Sequence, residues 1–271
     1  MITVESAALT DIGRKRPTNE DCVLVDDAQG LYIVADGMGG HQAGEVASRL
    51  VVTSLQEFLR NGHAPAADRT VSPALSAAAE RLLSGIDWSN RLVYRTAGTQ
   101  ADYRGMGSTV AAVYLADDTL VAANVGDSPI YLVRNGAIDL LSVPHTLQAD
   151  LEGQPLAAYA GNILTRAVGP KEQVEAAVCE ISCYRGDVIV IGSDGLSTKV
   201  SPAEILAIVG GRRPAEACGA LVELANARGG EDNISAVVVQ VTGVKRKRGS
   251  GLSRLLSRIR NRLGRPAPAS D

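Results

Sequence analysis

Apolar residues recur along this chain at two spacings, and the spacing changes from segment to segment. Alternating or continuous apolar runs predict strands over 2–9, 22–25, 31–35, 108–115, 119–125, 130–133, 137–141, 187–191 and 234–241. Apolar residues at helical spacing predict helices over 42–60, from the Ser72-Pro73 start signal toward Tyr94, and over 202–209 and 214–227. Asn135-Gly136 predicts a tight hairpin, so the middle strands are expected to pair antiparallel.

The segment 31–48 contains the clearest change from strand to helix. A buried strand ends at Asp36, and a glycine-rich turn follows before the helix. Because glycine permits close approach of the backbone, this turn leaves room for a cation held by Asp36. An ordinary Asp-Gly turn is the plainer alternative. A dinucleotide-binding loop fits less well, because its third glycine is misplaced and Asp36 would oppose a pyrophosphate.

Further carboxylates stand at strand ends in glycine-flanked turns. They are Asp127, Asp194 and Asp232, together with Glu20-Asp21 before the second strand. Each of them alone is typical of a turn. With Asp36 they make an oxygen-rich ligand set, which suits hard divalent cations such as Mg²⁺ or Mn²⁺, whereas zinc would require His or Cys.

A basic loop precedes the first acidic pair. Arg14, Lys15 and Arg16 lie a few residues before Glu20-Asp21. In a functional interpretation, an arginine of this loop binds an anion bidentately, beside carboxylates that hold a metal. The alternative is a solvated turn with a favourable charge pattern.

Composition limits the class of protein. The chain has 271 residues, 45% of them hydrophobic and 21% charged, which suits one sizeable globular domain or two small ones. No apolar run approaches the roughly 18 residues of a membrane span. The N-terminus lacks the features of a signal peptide, so a cytoplasmic protein is expected. The cysteines, expected to be buried free thiols, are Cys22, Cys179, Cys183 and Cys218.

Charge is unevenly distributed between the body and the tail of the chain. Residues 245–271 contain nine Lys or Arg and one acid, so this tail carries +8 and the remainder −11 of the net −3. The acidic body argues against nucleic acid as a partner. After the flexible joint 249–251, apolar residues on one face predict a basic amphipathic helix: Leu252, Leu255, Leu256, Ile259 and Leu263. Such a helix docks on an anionic membrane, here the inner membrane, or on an acidic partner; the alternative is a solvated extension.

Short motifs follow one another across the whole body of the chain. They are Arg16-x-x-Asn-Glu-Asp21, Ala35-Asp-Gly-Met-Gly-Gly-His-x-x-Gly-Glu-x-Ala-Ser48, Gly107-Ser-Thr109, Val125-Gly-Asp-Ser128, Asn162-Ile-Leu-Thr-Arg-Ala-Val-Gly169, Gly192-Ser-Asp-Gly-Leu196 and Gly230-x-Asp-Asn233. In order and spacing they resemble the metal-dependent serine/threonine protein phosphatases of the PP2C type, in particular compact bacterial members. The resemblance covers about residues 5 to 242. A phosphatase-like domain is therefore expected over 1–244, with a flap at about 145–170.

The resemblance implies both a fold and a metal site. The fold is an α/β (α+β) sandwich, in which two central, mainly antiparallel sheets are flanked by helix pairs and a metal cluster lies in a cleft at one end. Asp36 would bridge two Mn²⁺ or Mg²⁺ ions, and the Gly37 carbonyl would bind one of them. Asp194 and Asp232 would hold the other ion.

The remaining implied roles concern a third metal, bound water and the substrate. Asp127, with Asp194, would provide a third metal site. Glu20 and Asp21 would act through metal-bound waters, and Arg16 would bind the substrate phosphate. The implied reaction is direct hydrolysis of phosphoserine and phosphothreonine in proteins, by water activated between two cations roughly 3.5–4 Å apart. The implied substrates include a Ser/Thr kinase and its targets, and a monomer is expected.

The chain departs from the family pattern near the proposed site. Met38 stands where many eukaryotic members have a histidine thought to protonate the leaving alkoxide, a change that bacterial members commonly share. His41 is close in sequence but starts a helix, so either His41 or solvent is left as the acid. Pro129 replaces an arginine usual after Gly-Asp-Ser, and Pro144 replaces an acid usual before His145.

Two other functions remain open at this level. A catalytically dead binding module would be expected to have lost metal carboxylates, and none is missing. A metal-dependent hydrolase of small phosphoesters would use the same chemistry, so the sequence does not separate it from a protein phosphatase.

Overall fold

The computed structural model describes residues 1–39, 42–62, 74–152 and 163–245. Its strands are β1 (Ile2–Asp11), β2 (Asp21–Asp26), β3 (Leu31–Met38), β4 (Gly107–Ser108), β5 (Val110–Ala116), β6 (Thr119–Val125), β7 (Ile130–Arg134), β8 (Ala137–Leu140), β9 (Ala177–Ser182), β10 (Val188–Gly192) and β11 (Ile234–Val244). They form one sheet in the order β1-β11-β10-β7-β8. The other has the order β2-β3-β5-β6-β9, with β4 paired to β3. The pairings are antiparallel.

Helices cover the outer face of each sheet. The described α-helices are α1 (Gln42–Asn61), α2 (Ala77–Ala97), α3 (Leu147–Asp150), α4 (Asp194–Ser197), α5 (Pro202–Val209) and α6 (Pro214–Ala227). A short 3₁₀ helix lies at Ala101–Tyr103. The pair α1 and α2 packs on the sheet of β3, whereas α5 and α6 pack on the sheet of β11. The expected sandwich of two antiparallel sheets between helix pairs is therefore confirmed.

The apolar run of β3 is continuous because both faces of the strand are buried. Leu31, Ile33 and Ala35 belong to the core beneath α1 and α2. Tyr32 and Val34 belong to a second core, between the two sheets. Successive side chains of a strand point to opposite faces, so a run without polar positions needs cover on both sides. A third core joins β11 to α5 and α6.

The second helix begins later than its sequence signal predicts. Ser72 and Pro73 lie outside the described residues, but Ala74 and Leu75 are not helical, and α2 begins at Ala77. Its N-cap is Ser76, whose hydroxyl accepts a hydrogen bond from the Ala79 amide. The predicted start was wrong because Ser76 caps the helix equally well. Its amide also donates to the Glu180 carboxylate at 3.0 Å, which ties the helix start to β9.

Other local predictions can be compared with the structure directly. The hairpin is confirmed: Asn135 and Gly136 both have positive φ, at 52° and 77°, between β7 and β8. The four cysteines are free thiols, of which Cys183 and Cys218 are buried and Cys22 and Cys179 only half-buried. The parts of the chain outside the described residues include His41, His63, Asn162 and the amphipathic tail after Lys245. None of the helices in the described part is both long and apolar enough to cross a membrane.

A bidentate ion pair fastens the end of the sandwich that lies at the start of β10. The Arg134 guanidinium donates to both carboxylate oxygens of Asp187 at 2.7 Å, and also to the Ser182 carbonyl. The Asp187 side chain is only 1% exposed, and it also accepts from the Tyr184 amide. Breaking such a pair leaves a buried charge without its partner.

We expect Arg134→Ala to lower the free energy of unfolding by about 3 kcal/mol, because the Asp187 carboxylate stays buried without its cation. Urea unfolding measures this change as a lower midpoint at an unchanged slope. Arg185→Ala is the matched control: Arg185 is exposed in the same turn, and its loss should cost less than about 0.5 kcal/mol. Equal midpoints for the two variants would contradict the assigned role.

Candidate metal centre

The candidate carboxylates meet at one end of the two sheets. Asp21 opens β2 directly opposite Asp36 of β3 in the antiparallel register. Asp127 follows the end of β6, while Asp194 follows β10 and Asp232 precedes β11. Because neighbouring strands run antiparallel, the ends of β3, β6 and β10 lie beside the starts of β2, β5 and β11. Residues far apart in the sequence therefore reach the same edge.

Strand alternation turns several of these side chains into the space between the sheets. Asp36 continues the series Tyr32, Val34, whose members lie in the core between the sheets. Ser235 extends the corresponding series of β11, and its hydroxyl donates to Asp21 Oδ2 at 2.7 Å. The core between the sheets thus ends in a polar layer that contains carboxylates.

The backbone of Asp36 is held by the Gly-Ser-Thr segment. The Thr109 amide and the Ser108 hydroxyl donate to the Asp36 carbonyl at 2.8 Å and 3.0 Å. The Asp36 amide donates in turn to the Thr109 hydroxyl at 3.0 Å, and this hydroxyl lies 2.8 Å from that of Ser128. The strand end that carries Asp36 is therefore fixed from β4 and β5 and from the turn after β6.

Gly37 lies where neighbouring backbone atoms of the protein leave no room for a side chain. A β-carbon here would lie 2.1 Å from the Gly44 carbonyl oxygen and 2.7 Å from that of Glu20. Gly44 is restricted in the same way, because its β-carbon would lie 1.9 Å from Glu20 Oε2. The sequence interpretation, that the glycines after Asp36 make room around its ligand, stays a prediction. In the structure, Gly37 and Gly44 bring α1 against the loop that ends at Glu20.

Burial dominates the electrostatics of the carboxyl cluster. It raises the pKa of Asp36 well above its ordinary value, and the charges of Asp21 and Asp194 raise it further. The pKa of Asp21 is raised to about 7 by burial, against the opposing effect of hydrogen bonds from Ser235 and Ser193. Burial and the neighbouring charge of Asp232 raise the pKa of Asp194. Negative charge on these groups is therefore costly unless a cation offsets it.

Two buried oxygens in the cluster have no hydrogen-bond partner, Oδ1 of Asp21 and Oδ1 of Asp194. Buried carboxylate oxygens usually have one, so these two indicate a ligand. The neighbouring groups that act on Asp21 and Asp194 include the carboxyl groups of Asp36 and Asp232 and the hydroxyl groups of Ser193 and Ser235. Oxygen atoms of this kind fit Mg²⁺ or Mn²⁺. In the described part of the chain, no three Asp, Glu, His or Cys side chains are already arranged as a ligand set for a metal ion.

Arg16 is a cation that contacts this cluster directly. Its Nη2 donates to Asp232 Oδ2 at 2.7 Å, and the two side chains are 51% and 34% exposed. Hydrogen bonding to Asp232 raises the pKa of Arg16, and the charges of Glu20 and Asp36 contribute as well. Arg16 thus lies at the rim of the cluster, where it is open to solvent.

Asp127 lies at the side of the cluster nearest Asp194. Burial raises its pKa to about 6, and the neighbouring charge that acts on it is that of Asp194. The turn that carries it is tied to His145, whose Nδ1 accepts from the Gly126 amide at 3.1 Å. His145 is buried, and burial followed by the charge of Arg166 lowers its pKa to about 4, so the ring is neutral.

Sequence reasoning missed the side chains that position this site, above all Asn233. Its Nδ2 donates to the carbonyls of Ile12 and Thr18, both at 2.9 Å, and its Oδ1 accepts from the Glu20 amide at 2.8 Å. One buried amide thus fastens both ends of the loop that bears Arg16. Only its place next to Asp232 in a motif signalled it.

Ser235 was also missed, although its pattern was visible. It is a single polar residue near the start of the apolar strand β11, on the face that points between the sheets. Besides Asp21 it contacts the Thr10 hydroxyl at 2.8 Å, which in turn accepts from the Asn19 amide group. A lone serine at an inward position of a buried strand is the signal that could have revealed it.

Comparisons with known proteins agree with this architecture. The sequence model of the family described as Protein phosphatase 2C matches residues 12–224. Protein phosphatase PhpP of Streptococcus pneumoniae is 33% identical, over 88% of this chain and 98% of PhpP. The serine/threonine phosphatase stp of Listeria innocua is also 33% identical, over 85% of this chain and 93% of its own length.

Comparison with solved structures also finds serine/threonine phosphatases. The serine/threonine phosphatase PstP/Ppp of Mycobacterium tuberculosis superposes with a TM-score of 0.77 and 32% identity, over 89% of this chain and 99% of that one. The catalytic domain of PstP in complex with two manganese ions also gives a TM-score of 0.77 at 32% identity, over 90% and 100% of the two chains. This chain belongs to the protein phosphatase 2C family.

We expect Asn233→Ala to loosen the loop between β1 and β2, because the two carbonyls and the Glu20 amide lose their common partner. Hydrogen exchange followed by mass spectrometry should show faster exchange in peptides spanning 12–20. Unfolding should be easier by about 2 kcal/mol, a usual cost for buried groups left unpaired. Asn233→Asp keeps the acceptor but puts a carboxylate oxygen against the Ile12 and Thr18 carbonyls, so it should be destabilised at least as much as Asn233→Ala. Unchanged exchange in 12–20, with β7–β8 as internal control, would contradict the role.

We expect Asp36→Asn to have opposite effects with and without metal. The folded protein raises the pKa of Asp36. At pH values above the ordinary pKa of an aspartate, the ionised side chain is therefore less stable in the folded than in the unfolded protein, and this destabilisation is present at pH 7.5. In EDTA the neutral amide should therefore raise the melting temperature by roughly 2–4 °C, the shift that about 1 kcal/mol produces. With saturating Mn²⁺, wild type should gain more stability than the variant. Asp139→Asn, an exposed acid on β8, is the control. If Asp36→Asn melted at a lower temperature than wild type in EDTA, the claim that the ionised Asp36 destabilises the metal-free fold would be refuted.

Proposed function

We propose that this chain hydrolyses phosphoserine and phosphothreonine in proteins with the aid of two Mn²⁺ or Mg²⁺ ions. The observation that carries this proposal is the grouping of the buried Asp21 with the half-buried Asp36 and Asp194, with Arg16 at the rim of the cluster. Family membership and relatives named as serine/threonine phosphatases support it. A related structure that contains two manganese ions supports the metal requirement.

The ligand assignment is the one that the family resemblance implies, and the position of these carboxylates at one edge of the sheets supports it. Asp36, Asp194 and Asp232 would hold the two ions, with the Gly37 carbonyl as a further ligand. Asp127, beside Asp194, would serve a third ion. Glu20 and Asp21 would bind the waters of the metal centre, for which Asp21 has a free Oδ1. Bound divalent cations at this site would lower the pKa of a water molecule and neutralise charge on the phosphoryl oxygens.

Arg16 would bind the substrate phosphate, and its contact with Asp232 constrains when it does so. The Nη2 of Arg16 and the Oδ2 of Asp232 occupy each other in this ion pair, so a metal ion at Oδ2 or a phosphate at Nη2 would displace that contact. Since half of the Arg16 side chain is exposed, the guanidinium can turn toward a bound phosphate without leaving the rim. Its planar fork then suits two phosphoryl oxygens at once and stabilises their charge.

A covalent phosphoenzyme is not part of the proposal. Cys22 is the cysteine next to Asp21 in sequence, but it packs toward the core beneath α1. Burial raises the pKa of its thiol, which disfavours the thiolate that a nucleophile needs. Hydrolysis is therefore assigned to direct attack of water on phosphorus.

Solvent is the proposed proton donor to the leaving alkoxide. Met38 offers no proton and packs near Gly107. His145 is neutral, buried and already hydrogen-bonded to the Gly126 amide. His41 lies outside the described residues, so the alternative of His41 as the acid stays a prediction. The Ser/Thr kinase and its targets likewise remain the proposed physiological substrates.

We expect Asp36→Asn and Asp232→Asn to reduce Mn²⁺-dependent kcat by about a hundredfold or more, because each removes a cation ligand at the reacting phosphate. Arg16→Ala should mainly raise KM for a phosphopeptide, by roughly tenfold, since it removes charge-assisted hydrogen bonds to the phosphate. Asp139→Asn, exposed on β8, is the matched control and should behave as wild type. Initial rates on phosphoserine and phosphothreonine peptides measure these effects.

The same assay separates the three candidate functions. A protein phosphatase should hydrolyse the phosphopeptides as well as p-nitrophenyl phosphate, both in a Mn²⁺-dependent manner. A small-phosphoester hydrolase should act on p-nitrophenyl phosphate and spare the peptides, and a binding module should hydrolyse neither. Unchanged turnover of either aspartate variant would refute the metal assignment.

A further inference from the structure

A row of exposed cations runs along the rim of the carboxyl cluster. Arg14, Lys15 and Arg16 are consecutive and exposed, in the loop between β1 and β2. Arg16 contacts Asp232, as described above, and the Arg14 amide donates to the Gly230 carbonyl at 2.7 Å. The loop thus lies against the segment that leads into Asp232. A protein segment around a phosphate bound at Arg16 would lie near Arg14 and Lys15, because the three residues are consecutive in one loop.

The loop is held rigidly at several points. The Gly13 amide donates to Asp11 Oδ1 at 2.8 Å, and Gly13 has a φ of 81° and no space for a β-carbon beside the Asp232 carbonyl. Asn233 binds the carbonyls of Ile12 and Thr18 on either side of the basic residues. A fixed backbone presents the side chains of Arg14 and Lys15 at little further cost in backbone order, which favours binding.

The acidic residues near Arg14 and Lys15 are already paired with other groups, so the two cations can bind a ligand. Within the described residues, neither Arg14 nor Lys15 forms a salt bridge. Glu231, the acid whose charge Lys15 feels, is already paired with Lys199 at 2.5 Å. Asp11, the acid near Arg14, accepts hydrogen bonds from Asn226 and from the Gly13 amide. Two basic side chains thus stand free beside the phosphate-binding arginine, on a body whose charge without the tail is −11.

We propose that Arg14 and Lys15 form a second anion-binding position that selects substrates with a further negative group beside the phosphorylated residue. That group is a second phosphate or a carboxylate, a chemistry shared by doubly phosphorylated segments and acidic ones. The inference rests on the proposed phosphatase activity and deepens it, since it names the class of segment that this site prefers. Screening by salt should weaken the preference, because the contacts are exposed.

The test compares four phosphothreonine peptides of equal length, with neutral, basic or acidic flanks, or with a second phosphoserine. Wild type should show a higher kcat/KM for the acidic and doubly phosphorylated peptides than for the neutral one, through a lower KM. Arg14→Ala and Lys15→Ala should each reduce that advantage by about two- to fivefold, the effect of one exposed charge pair. Rates on the neutral peptide and on p-nitrophenyl phosphate should stay within twofold of wild type.

Arg185→Ala is the matched control, because it removes one exposed positive charge at the far end of β10. It should leave the ranking of the four peptides unchanged. Equal kcat/KM for neutral, acidic and doubly phosphorylated peptides, or an equal loss in Arg185→Ala, would overturn the second anion position while leaving the phosphatase activity intact. Absence of hydrolysis of every peptide and of p-nitrophenyl phosphate would overturn the proposed function itself, and the inference with it.

Discussion

The cost of burying like charges side by side governs this molecule. Asp21, Asp36 and Asp194 lie in the polar layer that closes the core between the sheets, and burial raises the pKa of each of them. The surrounding structure keeps them there all the same. Asp36 is held through its backbone by Ser108 and Thr109. Keeping these carboxylates in place therefore lowers the stability of the fold unless a bound cation offsets their negative charge.

The two-sheet architecture explains why these carboxylates meet. In antiparallel sheets the end of one strand lies beside the start of the next, so turns that are remote in sequence share an edge. Alternation along each strand then decides which residues face the core between the sheets. Apolar residues of β3 and β11 fill that core, and the same alternation brings Asp36 and Ser235 to its end. The alternation that buries the apolar side chains of β3 and β11 between the sheets therefore also orients the polar side chains at the ends of these strands.

Much of the fold and of the candidate site could be predicted from the sequence. Buried strands with no polar interruptions, such as β3, and hairpin signals such as Asn135-Gly136 are local, and so are aspartates in glycine-flanked turns. The failures involve choices between equal signals or contacts between distant residues. Ser72 and Ser76 offer similar cap signals, and the hydrogen bond of the Ser76 amide to Glu180 joins the helix start to a distant strand that the local pattern does not show. The contacts of Asn233 with Ile12 and Thr18, and of Arg16 with Asp232, join residues more than 200 positions apart. No local pattern encodes such pairs.

The ion pair between Arg16 and Asp232 joins the two groups to which the proposed function gives the phosphate and a metal ion. If those roles hold, a cation that binds Asp232 would release the guanidinium for phosphate, and a phosphate that binds the guanidinium would release Asp232 for the cation. Such linkage is reciprocal, so the factor by which metal tightens phosphate binding equals the factor by which phosphate tightens metal binding. Once the product had dissociated, the guanidinium could compete for Asp232 again, so under the proposed roles metal occupancy and turnover would be coupled through a single side chain.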